Sequence, residues 1–148
     1  HSVSARVRLD PRSGRATEET ARESVEFPRV DPRVVGSRYR HLWHVANVGR
    51  DDNTFAMNAV LRYDLDTGGT DRYVARDGLM LEEHVVVPRP GSSREGDGWL
   101  VGTAFDARRG KTVVQVFEAL RLADGPIATA VLPYGVPLGF HGNFHAHA

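Results

Sequence analysis

The chain has 148 residues, with 19 basic and 19 acidic side chains giving no net charge, seven histidines and no cysteine. One ordinary domain fits that length, and the missing cysteines exclude disulfide frameworks, thiolate zinc sites and thiol nucleophiles together. The charges are scattered rather than blocked, so nucleic acid is not an expected partner, and no apolar run approaches the roughly 18 residues of a membrane helix.

The chain opens at His1 with no methionine and no signal-peptide pattern, which reads as a processed or truncated chain or as part of a longer one. A chain free of disulfides is expected in the cytoplasm, meeting a membrane only peripherally and through residues upstream. Val7-Arg8-Leu9 reads as a short strand, ended by the turn cluster Asp10-Pro11-Arg12-Ser13-Gly14. Residues 15–23, with Glu18, Glu19 and Glu23, read as a polar surface loop. In Val25-Glu26-Phe27-Pro28-Arg29-Val30-Asp31-Pro32, two prolines four apart forbid a helix and favour extended backbone. Glu26 there is either an outward side chain on an edge strand or a buried carboxylate holding a partner, because Glu is seldom buried unpaired.

Arg38 to Val45 alternates with a period of two, placing Tyr39, His41, Trp43 and Val45 on one face and Arg40, Leu42 and His44 on the other. His41 and His44 therefore point apart and are poor co-ligands for one metal. Residues 58–63 and 71–74 flank a glycine-bearing turn, a hairpin. Its aspartates, Asp64, Asp66 and Asp71, lack the glutamate-terminated ligand series of an EF-hand, so a solvated turn is expected. Four more strands follow: Glu83 to Pro88, Trp99 to Asp106, Lys111 to Glu118 and Ile127 to Leu132. Four successive antiparallel strands in about 50 residues match one blade of a β-propeller, and residues 39–74 supply most of a preceding blade. The expected class is all-β. Since propellers close with about 4–8 blades, the chain reads as the C-terminal blades of a larger one, spanning 1–148 as part of a single domain and completed by an upstream partner segment.

The last stretch, residues 134–144, sets His141 between Gly139 and Gly142 and between Phe140 and Phe144. Glycines free the backbone to turn closely, and the aromatic pair predicts a dry place. Neutral imidazole in such a place suits a transition metal. A satisfied core histidine is the competing reading of the same residues.

Together these segments resemble the carotenoid cleavage oxygenases, the family that includes stilbene-cleaving dioxygenases and the retinal pigment epithelium isomerase. The matching residues are Glu26-Phe27-Pro28-Arg29-Val30-Asp31, Gly36-Ser37-Arg38-Tyr39-Arg40, Glu83 with Val85 to Gly91, Asp97-Gly98-Trp99-Leu100, and Val136-Pro137-Leu138-Gly139-Phe140-His141-Gly142. The resemblance implies a seven-bladed propeller holding a nonhaem Fe(II) through four histidines, with three glutamates one shell out. It implies that His141 is the last iron ligand and that Glu26 and Glu83 are two of those glutamates. It further implies O2 and an apolar alkene (carotenoid, apocarotenoid or stilbene) as co-substrates, and cleavage of a carbon–carbon double bond into two carbonyls. The residue types suit that chemistry: a carboxylate accepting the Nδ1–H of a ligand imidazole fixes its tautomer and aims Nε2 at the metal. His84 stands where many relatives carry proline, and Glu82 is an extra acid. Adjacent strand residues point oppositely, so only Glu83 is expected to face the axis.

By this reading three ligands lie upstream, so the isolated 148 residues should retain no iron against a chelator and cleave no alkene. Two rival readings remain. One is a non-catalytic propeller fragment serving as a binding or structural module. The other is a tail chelate formed by His141, His145 and His147 alone. A serine hydrolase is disfavoured by the lack of G-x-S-x-G and of alternating βα units.

Overall fold

The computed structural model describes residues 2–20, 24–49 and 56–145. Ten strands run through it: β1 (Ala5–Leu9), β2 (Ala16–Thr20), β3 (Ser24–Arg29), β4 (His41–Asn47), β5 (Ala59–Asp64), β6 (Thr70–Val74), β7 (Leu79–Pro88), β8 (Gly98–Asp106), β9 (Lys111–Glu118) and β10 (Ala128–Val131). They form a two-stranded hairpin, β1-β2, and two four-stranded antiparallel sheets, β3-β4-β5-β6 and β7-β8-β9-β10. Each four-stranded sheet is a propeller-type blade whose strands follow sequence order. Period-two patterning is the cause, and it is cleanest in β8, where every second residue from Gly98 to Asp106 is buried.

The structure corrects or extends the sequence reading in three places. Residues 16–20 are a strand rather than a loop: β2 is polar on both faces, so the apolar alternation that marks a strand is missing, and β1 supplies its backbone partners. Glu23, in the same expected loop, lies outside the described residues. The first blade reaches back to Ser24, ahead of the 39–74 stretch that supplies most of it, because β3 pairs with β4 as an edge strand of the sheet. Asp64 is not part of a solvated turn. Its buried carboxylate takes a forked bond from Arg40 and accepts the Asp66 and Thr67 N–H groups. Asp10 and Asp106 begin Asp-x-x-x-Gly turns of the same design, ending at Gly14 and Gly110, both with positive φ, as Asp64 does at Gly68.

The main core lies between the blades. Trp43, Val45 and Val60 of the first sheet meet Leu81, Leu100 and Phe117 of the second. Trp43, 1% exposed, donates its indole N–H to the Ala119 carbonyl at 2.9 Å, satisfying the one polar atom it carries into the core. As expected, His41 and His44 point apart: His41 tilts onto Trp43, and His44 meets Tyr63 on the other face. A smaller cluster of Val25, Ala46, Ala59 and Leu61 covers that far face of the first blade.

A buried ion pair ties the blades at their corner. Asp31, with no exposed surface, accepts from Arg33 Nε at 2.9 Å and Nη2 at 2.6 Å and from the Gly96 N–H at 2.8 Å. Arg33 then donates to the carbonyls of Ser92 and Asp97 in the β7–β8 loop. Asp31→Ala strips the pair from one side only: Arg33 keeps the Ser92 and Asp97 carbonyls, but its Nε and the buried Gly96 N–H lose their acceptor. A loss of about 3 kcal/mol in urea unfolding is expected; a midpoint within error of wild type would show that the corner carries no load.

Candidate metal centre

β7 does not run straight. Its register on β8 slips between Leu81 and His84, and the adjacent residues Glu83 and His84 are both buried. A bulge inserts a residue and re-aims side chains that strict alternation would separate. One result concerns the two acids. Glu83 accepts from the Gly142 N–H at 2.6 Å and faces His141 Nδ1 at 3.1 Å, while Glu82 accepts from the Gly139 N–H at 2.5 Å. Both carboxylates thus reach the 139–142 segment, Glu83 from a buried position against the imidazole and Glu82 from a half-buried one. The second result is His84, whose ring packs on Gly102 so closely that a Cβ there would lie 2.4 Å from the ring.

A matching irregularity lies in β3. The β3–β4 register shifts between Glu26 and Arg29, and Phe27 adopts φ 54°, a backbone region costing about 1–3 kcal/mol for a residue with a Cβ. The kink sets the Phe27 ring edge-on to His141 at 5.5 Å and to Phe140 at 5.6 Å. It also sends Arg29 across to β7, where Nε donates to Glu83 Oε1 at 2.8 Å.

Glu83 is the centre of this arrangement. Burial pushes its carboxyl up, but the bonds from Arg29, the Gly142 N–H and His141 outweigh it and hold the pKa below the usual value. A carboxylate can only accept, so His141 Nδ1 carries the ring proton and Nε2 presents its lone pair outward. The His141 side chain is 63% exposed. Phe140 and Phe144 are 71% and 50% exposed, so the dry enclosure expected from the sequence is not formed within this chain. The aromatic rings shield one side of the imidazole; the other borders an open depression of about 210 Å³ between β7, β8 and the 139–143 segment.

Glu26 is half-buried on β3, one residue from the Phe27 that touches His141, and its carboxylate makes no hydrogen bond or ion pair among the described residues. His141 and Glu83 are thus brought together, while Glu26 has no side-chain partner among the described residues. Among the described residues no group of three or more His, Cys, Asp or Glu side chains is placed to hold a metal. That set includes His145, so it gives the tail chelate no support, and His147 lies outside the described residues. Among the described residues the donor set therefore fits one metal ligand with its backing carboxylate, not a complete site.

The structure thus shows propeller-type blades with an imidazole, carried on the C-terminal segment, backed by a carboxylate of β7. The chain belongs to the carotenoid cleavage oxygenase family: the family model described as retinal pigment epithelial membrane protein matches residues 1–146. It is 35% identical over 127 residues to lignostilbene-alpha,beta-dioxygenase isozyme III of Sphingomonas paucimobilis, covering 80% of this chain and 26% of that protein. It is 33% identical over 120 residues to apocarotenoid-15,15'-oxygenase of Synechocystis, covering 80% and 24%. It also superposes on the crystal structure of the cobalt-substituted Synechocystis oxygenase with TM-score 0.90 and 27% identity, over 97% of this chain and 30% of that one. The chain thus spans about a quarter of the length of the curated relatives it matches. No helix among the described residues is long and apolar enough to cross a membrane.

Proposed function

We propose that this chain is the C-terminal part of a seven-bladed nonhaem Fe(II) dioxygenase that splits a carbon–carbon double bond of a carotenoid, apocarotenoid or stilbene. The observation that carries the reading is the Glu83–His141 contact, which fixes the tautomer and leaves Nε2 free to bind a metal. The names of the relatives, cleavage dioxygenases of carotenoids and of lignostilbene, support the reaction class, and the cobalt-substituted relative supports a metal in the fold. In this reading His141 supplies one ligand, Glu83 orients it, and Glu26 waits for a ligand imidazole from upstream of residue 1. The chemistry such an ion supplies is activation of O2 beside an alkene. Both oxygen atoms leave in the two carbonyl products, so no outside reductant is needed. Phe27 and Phe140 keep water from one side of the imidazole, and apolar walls from the rest of the propeller would complete the exclusion.

The test is iron retention by the full-length protein under chelator competition, with and without His141→Ala. Stoichiometric iron in wild type and its loss in the variant, together with loss of alkene cleavage, is the expected result. Equal iron and equal cleavage in both proteins would overturn the assignment of His141. A full-length wild type that holds no iron would favour a non-catalytic propeller.

A further inference from the structure

Resting on the reading of His141 as a ligand, we propose that Arg29 is a positioning residue for it. Its guanidinium fastens both the carboxylate that orients the imidazole and the peptide that carries it. One side chain makes three contacts: Nε to Glu83 Oε1 at 2.8 Å, Nη2 to the Gly142 carbonyl at 2.7 Å, and Nη1 to Asn143 Oδ1 at 3.5 Å. The Gly142 residue is then held at both ends, its N–H by Glu83 Oε2 and its carbonyl by Arg29.

This matters because residues 132–145 belong to no strand. A ligand on such a segment has no ladder to hold it, and each residue left free loses about 1–2 kcal/mol of backbone entropy when ordered. Apart from Glu83, which holds His141 and the Gly142 N–H, the other side-chain ties on the segment among the described residues, Glu82 to the Gly139 N–H and Thr112 to the Val136 N–H, lie before His141. Arg29 secures the residues just after it. The Arg29 side chain is 27% exposed, so its bonds are partly shielded from water. A planar fork suits the task, since it addresses a carboxylate and a carbonyl in one plane, which an ammonium does not.

Charge and geometry act in opposite senses here. The guanidinium repels a bound cation, so removing it leaves Glu83 less compensated and favours metal; loosening the segment disfavours metal. Arg29→Lys keeps the charge and removes the fork, and so isolates geometry. The experiment uses the full-length protein as wild type, Arg29→Lys and, as control, Arg38→Gln, which touches only an exposed pair with Asp66. Two quantities are read: hydrogen exchange of the Gly142 amide in metal-free protein, and the rate of Fe(II) release to a chelator. Arg29→Lys should raise both about 10-fold or more, the range expected of outer-shell partners, while exchange at the buried Leu100 and both readouts in Arg38→Gln stay unchanged. Gly142 exchange equal to wild type would overturn the proposal. If wild type itself retains no iron, the ligand reading fails, and the amide exchange still decides the clamp.

Discussion

Glu83→Gln in the full-length protein is expected to weaken iron retention about 10–100-fold, the usual consequence of losing the group that orients a ligand imidazole. The reason is a count of donors. Arg29 Nε, His141 Nδ1 and the Gly142 N–H all converge on the two carboxylate oxygens. A glutamine amide offers one accepting oxygen and brings two donors of its own, so whichever way it turns, at least one N–H faces another N–H. Leaving such a donor unsatisfied costs about 1–3 kcal/mol of folding stability as well, with the partial exposure of Arg29 favouring the low end. Glu82→Gln is the matched comparison. Glu82 accepts from the Gly139 N–H alone, and an amide oxygen can still do that. The two variants should therefore differ by at least 10-fold in chelator-driven release. Equal effects would mean that the segment responds to charge near it and not to the bonds around Glu83.

How far the sequence discloses this arrangement depends on what each residue's neighbours show. The strands of the second blade are visible because Trp99 to Asp106 alternates throughout, Lys111 to Glu118 alternates from Val113 on, and a glycine turn separates them. His141 and Glu83 are found through the motifs around them. Arg29 is not, for two physical reasons. On an unbroken strand Arg29 would sit on the opposite side from Glu26 and read as a solvated edge charge. Only the register shift, with Phe27 at φ 54°, turns it toward β7, and nothing in Glu26-Phe27-Pro28-Arg29 announces a left-handed phenylalanine. The same holds for Glu82, which alternation assigns to the far face until the bulge between Leu81 and His84 is known. Asp71 is another case. It reads as a turn acid, yet its carboxylate accepts the Leu122 and Ala123 N–H groups across the blade interface, a contact between residues about fifty apart. The turn at Asp10–Gly14 is legible from its residues, whereas the shared Asp-x-x-x-Gly design at Asp64 and Asp106 emerges only with the structure, where each aspartate accepts N–H groups of its own turn and the closing glycine has positive φ.

The second large effect is acid lability from two histidines outside the candidate site. His44 is 2% exposed, and neither ring nitrogen makes a hydrogen bond of good geometry; His84 is 3% exposed, with Nδ1 on the Glu82 carbonyl and Nε2 unpaired. Burial pushes both down to about 4, against weaker opposing pulls from the Glu26 backbone on His44 and from the Glu82 backbone and the Glu83 charge on His84. Between about 4 and 6.5 the unfolded chain therefore binds protons that the folded chain refuses, so stability rises with pH through this window and is lost on acidification. At pH 5 each histidine should cost about 2 kcal/mol relative to pH 8, about 4 kcal/mol together. The carboxylates held low, such as Asp31 and Glu83, act in a different window, since their stabilising effect is lost only as pH falls below the ordinary carboxylate range. Urea unfolding at pH 8 and pH 5 should show the loss, and His44→Phe, which keeps an aromatic ring against Tyr63, should remove about half of it. A stability flat between those pH values would mean that both imidazoles gain solvent or a proton acceptor in the folded protein, and with that the buried, neutral state assigned to them would be wrong.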